Sequence, residues 1–327
     1  MSRTLAPMPL RDRVTLTCLS LVGAGLLTLP LFGSALLIDK LILLMIYVIL
    51  AVMWNLLAGY AGLVSVGHQV FVGMAGYIML RAVEAGAHPF AAMVLGAVLV
   101  VLVAWPVSWF VLRLKAAEFA VALWVVAEAV RSVVMVDPLI LGETGRSLIA
   151  MNALDADLRR TVIYLAAVAA AAGALAISYA LLAGRLGGEA QAIRDDEEAA
   201  TSVGISTLRV KRAIFLVSAL GCGVAGALWL ASSITYQPRT AFGIQWSVFM
   251  LFMVLVGGLG SFLGPVVGAL IFFGLQEAFG DFGPWYLAGL GAVAILAALF
   301  APRGIMGAIA DLTQSNPLSL TKKLDRN

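Results

Sequence analysis

Along this chain the apolar residues come in long, nearly unbroken runs, without the strict alternation of a half-buried strand or the one-sided stripe of a soluble helix. The runs cover residues 14–38, 41–58, 62–80, 90–112, 119–136, 161–183, 213–234, 246–256, 262–279 and 285–300. A helix crossing a hydrocarbon core of about 30 Å needs about 20 mainly apolar residues. Most of the runs come near that length, and those at 62–80 and 246–256 are weak or short. The run at 14–38 follows Arg3, Arg11 and Arg13, as a secretory leader would. It is 25 residues long, beyond the roughly 7–15 of a leader's apolar core, and it is expected to be retained as a first helix.

Composition sharpens this pattern. Of 327 residues, 62% are hydrophobic and 12% charged, where soluble domains have about half and about a quarter. So little charge cannot coat a soluble fold of this size, which excludes a soluble enzyme on a single anchor. A transmembrane barrel is disfavoured, because its strands alternate apolar and polar residues. The expectation is an all-α integral membrane protein, a polytopic bundle of about ten transmembrane helices. The net charge of +3 changes little, and no Lys/Arg run is long enough for a nucleic-acid footprint. The expected medium is the lipid bilayer. Cys18 and Cys222 lie in apolar stretches with no metal or disulfide spacing.

The charges do orient the chain. Lys and Arg collect in cytoplasmic loops. With ten spans and an inside N-terminus, fourteen of the 21 cationic residues fall inside. They are Arg3, Arg11, Arg13, Arg113, Lys115, Arg185, Arg194, Arg209, Lys211, Arg212, Arg303, Lys322, Lys323 and Arg326. Lys40, Arg81, Arg146, Arg159, Arg160 and Arg239 fall outside, and Arg131 stays in a span beside Glu128. That spacing of three lets Glu128 and Arg131 neutralise each other on one helix face. The layout is a cytoplasmic segment 1–13, a membrane domain 14–301 and a cytoplasmic tail 302–327. The longest outer loop, 137–160, carries charges of both signs and reads as a solvated surface.

The longest inner loop, 184–212, holds Arg194-Asp195-Asp196-Glu197-Glu198-Ala199-Ala200-Thr201-Ser202-Val203-Gly204. The four acids suit the first turn of a short exposed helix, where carboxylates favour the positive end of the dipole. Gly204 suits its stop. Two other segments are rich in glycine. The first runs from Asn55 past Gly62, Ser65, Gly67, His68 and Gln69 to Gly76; the second, 257–268, includes Gly258, Gly260, Ser261, Gly264, Pro265 and Gly268. Irregular backbone at membrane depth is tolerated where it is buried in protein or lines a wet cavity. Gly260, Gly264 and Gly268 also have the spacing of close helix contacts. For Ser65, His68 and Gln69 the expectation leans to a functional cavity, since broken helices point to a transporter's route.

These segments carry a resemblance. Glu198-Ala199-Ala200, three residues, Gly204, nine residues, then Ile214-Phe215-Leu216 is similar to the E-A-A-x3-G-x9-I-x-L signature of ABC importer permeases. Gly62 to His68 resembles the G-x-x-S-x-G-H segment, and 257–269 the G-G-x-G-x3-G-P-x2-G-A segment, of LivM-type permeases of branched-chain amino acid importers. Arg194-Asp195-Asp196 and 301–304 are similar to two further patterns of that family, so the likeness covers about 41–307. Val217 stands where the family commonly has Pro, and 113–124 lacks the family's Gly, Tyr and Thr, which leaves the cargo open.

The resemblance implies a permease subunit forming half of the translocation pathway for branched-chain amino acids or a related small amino acid, amide or organic acid. It implies a homologous LivH-type permease, two cytoplasmic ATPases and an extracytoplasmic binding protein as partners, in a bacterial inner membrane with both termini cytoplasmic. Docking of the ATPase would fall to Arg194, Asp195, Glu198, Ala199, Ala200 and Gly204. The pathway would involve Asn55, Ser65, Gly67, His68, Gln69, Gly258, Gly260, Ser261 and Pro265. No Gly-Lys dipeptide occurs, so the chain has no Walker A loop. No cofactor is expected in this chain, and ATP and Mg belong to the partner ATPases. The alternative is a secondary carrier or channel working without ATP, whose expected mark would be unpaired acids within the spans. An intramembrane enzyme is disfavoured, since no span clusters His, Asp and Glu with metal spacing.

Overall fold

The computed structural model describes residues 23, 25–140, 142–301 and 303–313. The N-terminal segment, Cys18, most of the expected first span and the tail cations Lys322, Lys323 and Arg326 lie outside them. Among the described residues the chain is almost entirely helical, with α1 at Ala35–Asn55, α2 at Gln69–Glu84, α3 at Pro89–Val111 and α4 at Ala116–Val136. Then come α5 at Ala156–Ala183, α6 at Arg185–Asp195, α7 at Glu197–Ser202 and α8 at Thr207–Ser233. The last four are α9 at Gln245–Gly257, α10 at Gly264–Phe279, α11 at Pro284–Phe300 and α12 at Gly304–Thr313. Eight helical stretches among these residues are long and apolar enough to cross a membrane. Helix α2, at 16 residues, falls short of that length and is packed inside the bundle.

Helix α1 is the centre. Of its most apolar window 83% is buried, against 12% for the stretch containing α11, so α1 contacts protein where α11 contacts the surroundings. Around α1 stand α5, α8, α9 and α10, and α8 packs in turn on α2 and α3. Small residues permit this closeness. A Cβ on Gly226 of α8 would strike the backbone of Val72 in α2, and one on Gly268 of α10 would strike the carbonyl of Met253 in α9. In lipid, where apolar burial does not drive helices together, such close backbone approach is a main source of association.

Three expected boundaries move. The break between the first two spans, expected after residue 38, lies at 32–34, where Ser34 accepts from the Leu37 amide and starts α1. Asp39 and Lys40, expected beside or in a loop, are inside α1 because each has a distant partner, Arg160 at 3.0 Å for Asp39 and Glu277 for Lys40. The expected span at 62–80 begins as helix only at Gln69, and before it α1 passes into a wider π turn at Leu56–Tyr60. The loop 184–212 holds two helices and not one, with α5 ending at Ala183 and α8 starting at Thr207.

At the end opposite α7 the loops are fastened. Arg146–Ser147 (β1) pairs antiparallel with Thr235–Tyr236 (β2), and the Tyr236 hydroxyl donates to the Gly73 carbonyl at 3.0 Å. Ile234 turns the chain out of α8 at φ 63°, a costly conformation for a β-branched residue, and its carbonyl accepts from the Leu148 amide at 2.7 Å. Asp137 accepts from the Tyr77 hydroxyl and the Leu139 amide and lies 2.6 Å from Arg81. The Tyr77 hydrogen bond above all holds the Asp137 carboxyl below the usual carboxylate range.

Candidate functional site

The acid run at 195–198 does four separate jobs. Asp195 is the last residue of α6 and pairs with Arg194 at 2.9 Å. Asp196 caps α7, accepting from the amides of Glu198 at 3.0 Å and Ala199 at 2.9 Å. Glu197 is drawn inward by the buried Lys211 at 2.6 Å. Of these four acids, only Glu198 keeps an exposed carboxylate that neither caps a helix nor lies at ion-pair distance from a cation. Helix α7 then stops in a Schellman turn: the Gly204 amide donates to Thr201 O at 2.9 Å and the Ile205 amide to Ala200 O at 3.1 Å. That turn needs positive φ, which Gly204 takes at 87°. The outcome is a short helix projecting Glu198, Ala199 and Val203 outward, with Ala200 as its buried anchor. Its expected start at Asp195 is corrected to Glu197, because the Asp196 side chain satisfies the first free amides.

Arg194 does not point outward with α7. Its Nη1 donates to the Gly59 carbonyl at 2.8 Å, a carbonyl released by the π turn. Gly59 stands against Gly260, and Asn55, one turn earlier, spans to the same segment. Asn55 Nδ2 donates to Ser261 O at 3.0 Å, and its Oδ1 accepts from the Gly260 amide at 2.9 Å. The Ser261 hydroxyl closes its own loop, donating to Gly258 O at 2.9 Å and accepting from the Gly264 amide at 3.0 Å. Both glycine-broken segments and the loop carrying α7 thus meet in one polar knot, where Gly258 and Gly260 take φ of 127° and 73°. Pro265 is buried in the first turn of α10, where a missing amide costs nothing.

Ser65, Gly67, His68 and Gln69 are all buried, and none of them lines either of the two clefts described below. The Ser218 hydroxyl donates to Met53 O at 2.9 Å, so it can only accept from His68 Nε2, 3.0 Å away. Nε2 therefore carries the proton, and Nδ1 accepts from Ser65 Oγ at 2.5 Å. With both nitrogens satisfied and Phe71 and Phe215 edge-on to the ring, His68 pins α2 to α1 and α8. A Cβ on Gly67 would strike the Leu123 backbone of α4. Gln69 accepts from the Ser247 hydroxyl of α9, and its Nε2 is left without a partner. Glu128 and Arg131 pair at 2.8 Å, with Glu143 at 3.8 Å as a second acid. Ser218 and Ser247 were missed by sequence reading, although a lone hydroxyl inside an apolar run was the available signal.

Two clefts differ in kind. One of about 450 Å³ beside α7 is lined by Gly62, Lys115, Arg194, Asp196, Glu198 and Lys211 among others. Another of about 170 Å³ between α1, α5 and α8 is lined only by apolar side chains and glycines, such as Met53, Ile177 and Val217. It has no side-chain donor or acceptor to orient an amino acid's charged ends. No group of His, Cys, Asp or Glu suited to a metal occurs among the described residues.

Comparison with known proteins shows the family. Residues 36–301 match the family model described as branched-chain amino acid transport system / permease component. The chain belongs to this family. The permease is also 31% identical over 144 residues to the high-affinity branched-chain amino acid transport system permease protein LivM of Escherichia coli strain K12. It is equally similar to the LivM protein of Salmonella typhimurium strain LT2. Each match takes in 44% of the permease and 34% of the relative, so the likeness spans about a third of the relatives' length. No solved structure matches the permease. The family is a transport permease component and not an enzyme.

Proposed function

We propose that this permease is one membrane subunit of an ATP-binding-cassette importer and supplies half of the pathway for branched-chain amino acids or a related small amino acid, amide or organic acid. A homologous permease completes the pathway, two ATPases bind ATP and Mg on the α7 side, and a binding protein delivers cargo at the opposite end. On this reading the membrane is a bacterial inner membrane, with the α7 end and both termini cytoplasmic. Helix α7 is the docking element, with the free Glu198 carboxylate and the small Ala199 surface facing the ATPase.

The observation that carries the reading is the knot. Arg194 links the α6–α7 turn to Gly59, and Asn55 links the same segment to Gly260 and Ser261. A push on α7 therefore reaches both glycine-broken segments through three hydrogen bonds. Two variants separate docking from transmission. Glu198→Arg should remove ATPase co-purification and uptake together. Arg194→Gln should keep the ATPase bound while uptake falls. Unchanged co-purification and uptake in Glu198→Arg and in Gly204→Trp would overturn the assignment. It would favour a carrier working without ATP.

A further inference from the structure

Each end of the bundle holds both paired and unpaired arginines. At the end opposite α7, Arg81, Arg131, Arg146 and Arg160 each have a carboxylate at ion-pair distance, while Arg159 and Arg239 have none among the described residues. At the α7 end, Arg113, Arg209 and Arg212 have none among the described residues, although Arg185, Arg194 and Lys211 nearby do. Arg209 and Arg212 are one turn apart in the first turns of α8, and Arg113 lies four residues beyond Trp109, where α3 ends against α8.

Arg212 is the focus. Its guanidinium carbon stands 4.6 Å from the Trp109 ring centre and 5.7 Å from that of Trp105. Its Nε is covered and has no hydrogen-bond acceptor. Stacking on indole supports a cation without neutralising it. A partly covered guanidinium lacking an acid is an incomplete site for an anion, and its flat fork suits two phosphate oxygens.

The surroundings say which anion. Val94, Val98 and Leu102 continue the Trp105 and Trp109 face along α3, all five more than 45% exposed. That is an outward apolar track ending in two tryptophans and three arginines. Tryptophans collect where the hydrocarbon meets the headgroups, and basic clusters at that level attract anionic lipid. We propose that Arg212, stacked on Trp105 and Trp109 and flanked by Arg113 and Arg209, holds the phosphodiester headgroup of an anionic phospholipid whose acyl chains lie along α3. The lipid supplies the missing counter-charge where α3 meets α8, at the residue next to the buried Lys211 that steadies α7.

The test uses the full chain in nanodiscs of phosphatidylcholine with added phosphatidylglycerol, followed by native mass spectrometry of the lipid it retains. The wild type should keep phosphatidylglycerol in preference to phosphatidylcholine. Arg212→Gln should weaken that retention about fivefold, as expected for one cation at a headgroup surface. Trp109→Leu should weaken it with all charges intact, while Arg239→Gln, an unpaired arginine at the opposite end, should not. If Arg212→Gln does not fold, Arg212→Lys carries the test, with intermediate retention. Equal retention of both lipids by the wild type, or full retention in the Arg212 and Trp109 variants, overturns the proposal. So does loss of a co-purifying permease subunit with lipid retention unchanged, which would give the patch to a protein partner.

Discussion

Replacing Asn55 by alanine removes the one side chain that bridges the two glycine-broken segments, and the structure sets the size of the loss. Two hydrogen bonds go, the donation to Ser261 O at 3.0 Å and the acceptance from the Gly260 amide at 2.9 Å. Within membranes such bonds average about 0.6 kcal/mol and reach about 1.7, so the pair contributes about 1–3 kcal/mol. A buried group left unpaired costs about 1–3 kcal/mol. Gly260 and Ser261 are only partly covered, however, so part of that cost is recovered by water. The expected loss is about 2 kcal/mol, a shift of about thirtyfold in the folding equilibrium. Asn55→Asp tests the geometry further. It keeps the acceptor for the Gly260 amide but turns a second oxygen toward Ser261 O, and it should be no better tolerated than alanine. Denaturation of the permease in mixed micelles reads the loss, and hydrogen exchange at the Gly260 amide localises it. Stability within about 0.5 kcal/mol of wild type, with unchanged exchange at Gly260, would refute the bridge.

Other consequences follow from single contacts. Gly268→Ala should destabilise the α9–α10 pair by about 1–3 kcal/mol, because its Cβ meets the Met253 backbone and cannot be accommodated by a side-chain shift. Gly274→Ala in the same helix meets nothing within 4 Å and should be neutral or stabilising by up to about 1 kcal/mol; thermal melting of the two variants makes the comparison. Ser218→Ala strands the His68 Nε2 proton in a buried site and should cost about 1–3 kcal/mol in the same melt. The Asp137 carboxyl titrates below its ordinary value. Its contribution is therefore complete above an unfolded pKa of about 3.9 and is lost as pH falls through the lower folded value. Asp137→Asn should flatten this acid limb of a stability–pH curve, and a curve unchanged from wild type would remove the Tyr77–Asp137–Arg81 clasp from the account.

The membrane-helix class and the α7 motif were legible in sequence because both rest on local pattern: apolar run length in one case, acids followed by Ala-Ala and Gly in the other. The interior of the site was not. Arg194 sits beside the acid run and pairs with Asp195, yet it also binds a carbonyl 135 residues away, which no local spacing encodes. Asp39 and Lys40 interrupt an apolar run and so looked like a loop, because their counter-charges on α5 and α10 lie far along the chain. An imidazole at membrane depth needs partners, and those of His68, Ser65 and Ser218, converge only through the crossing of α1, α2 and α8. Burial in protein and exposure to a wet route impose the same demand on composition, and only packing distinguishes them.

The near-complete enclosure of α1 also bears on how the chain is made. Ribosomes deliver α1 before any of the helices that will surround it, and Asp39 and Lys40 leave the ribosome long before Arg160 and Glu277 exist to meet them. During that interval a helix destined for a protein interior must rest against lipid or the insertion machinery with two uncompensated charges near its end. The two ion pairs of α1 can close only once α5 and α10 have emerged.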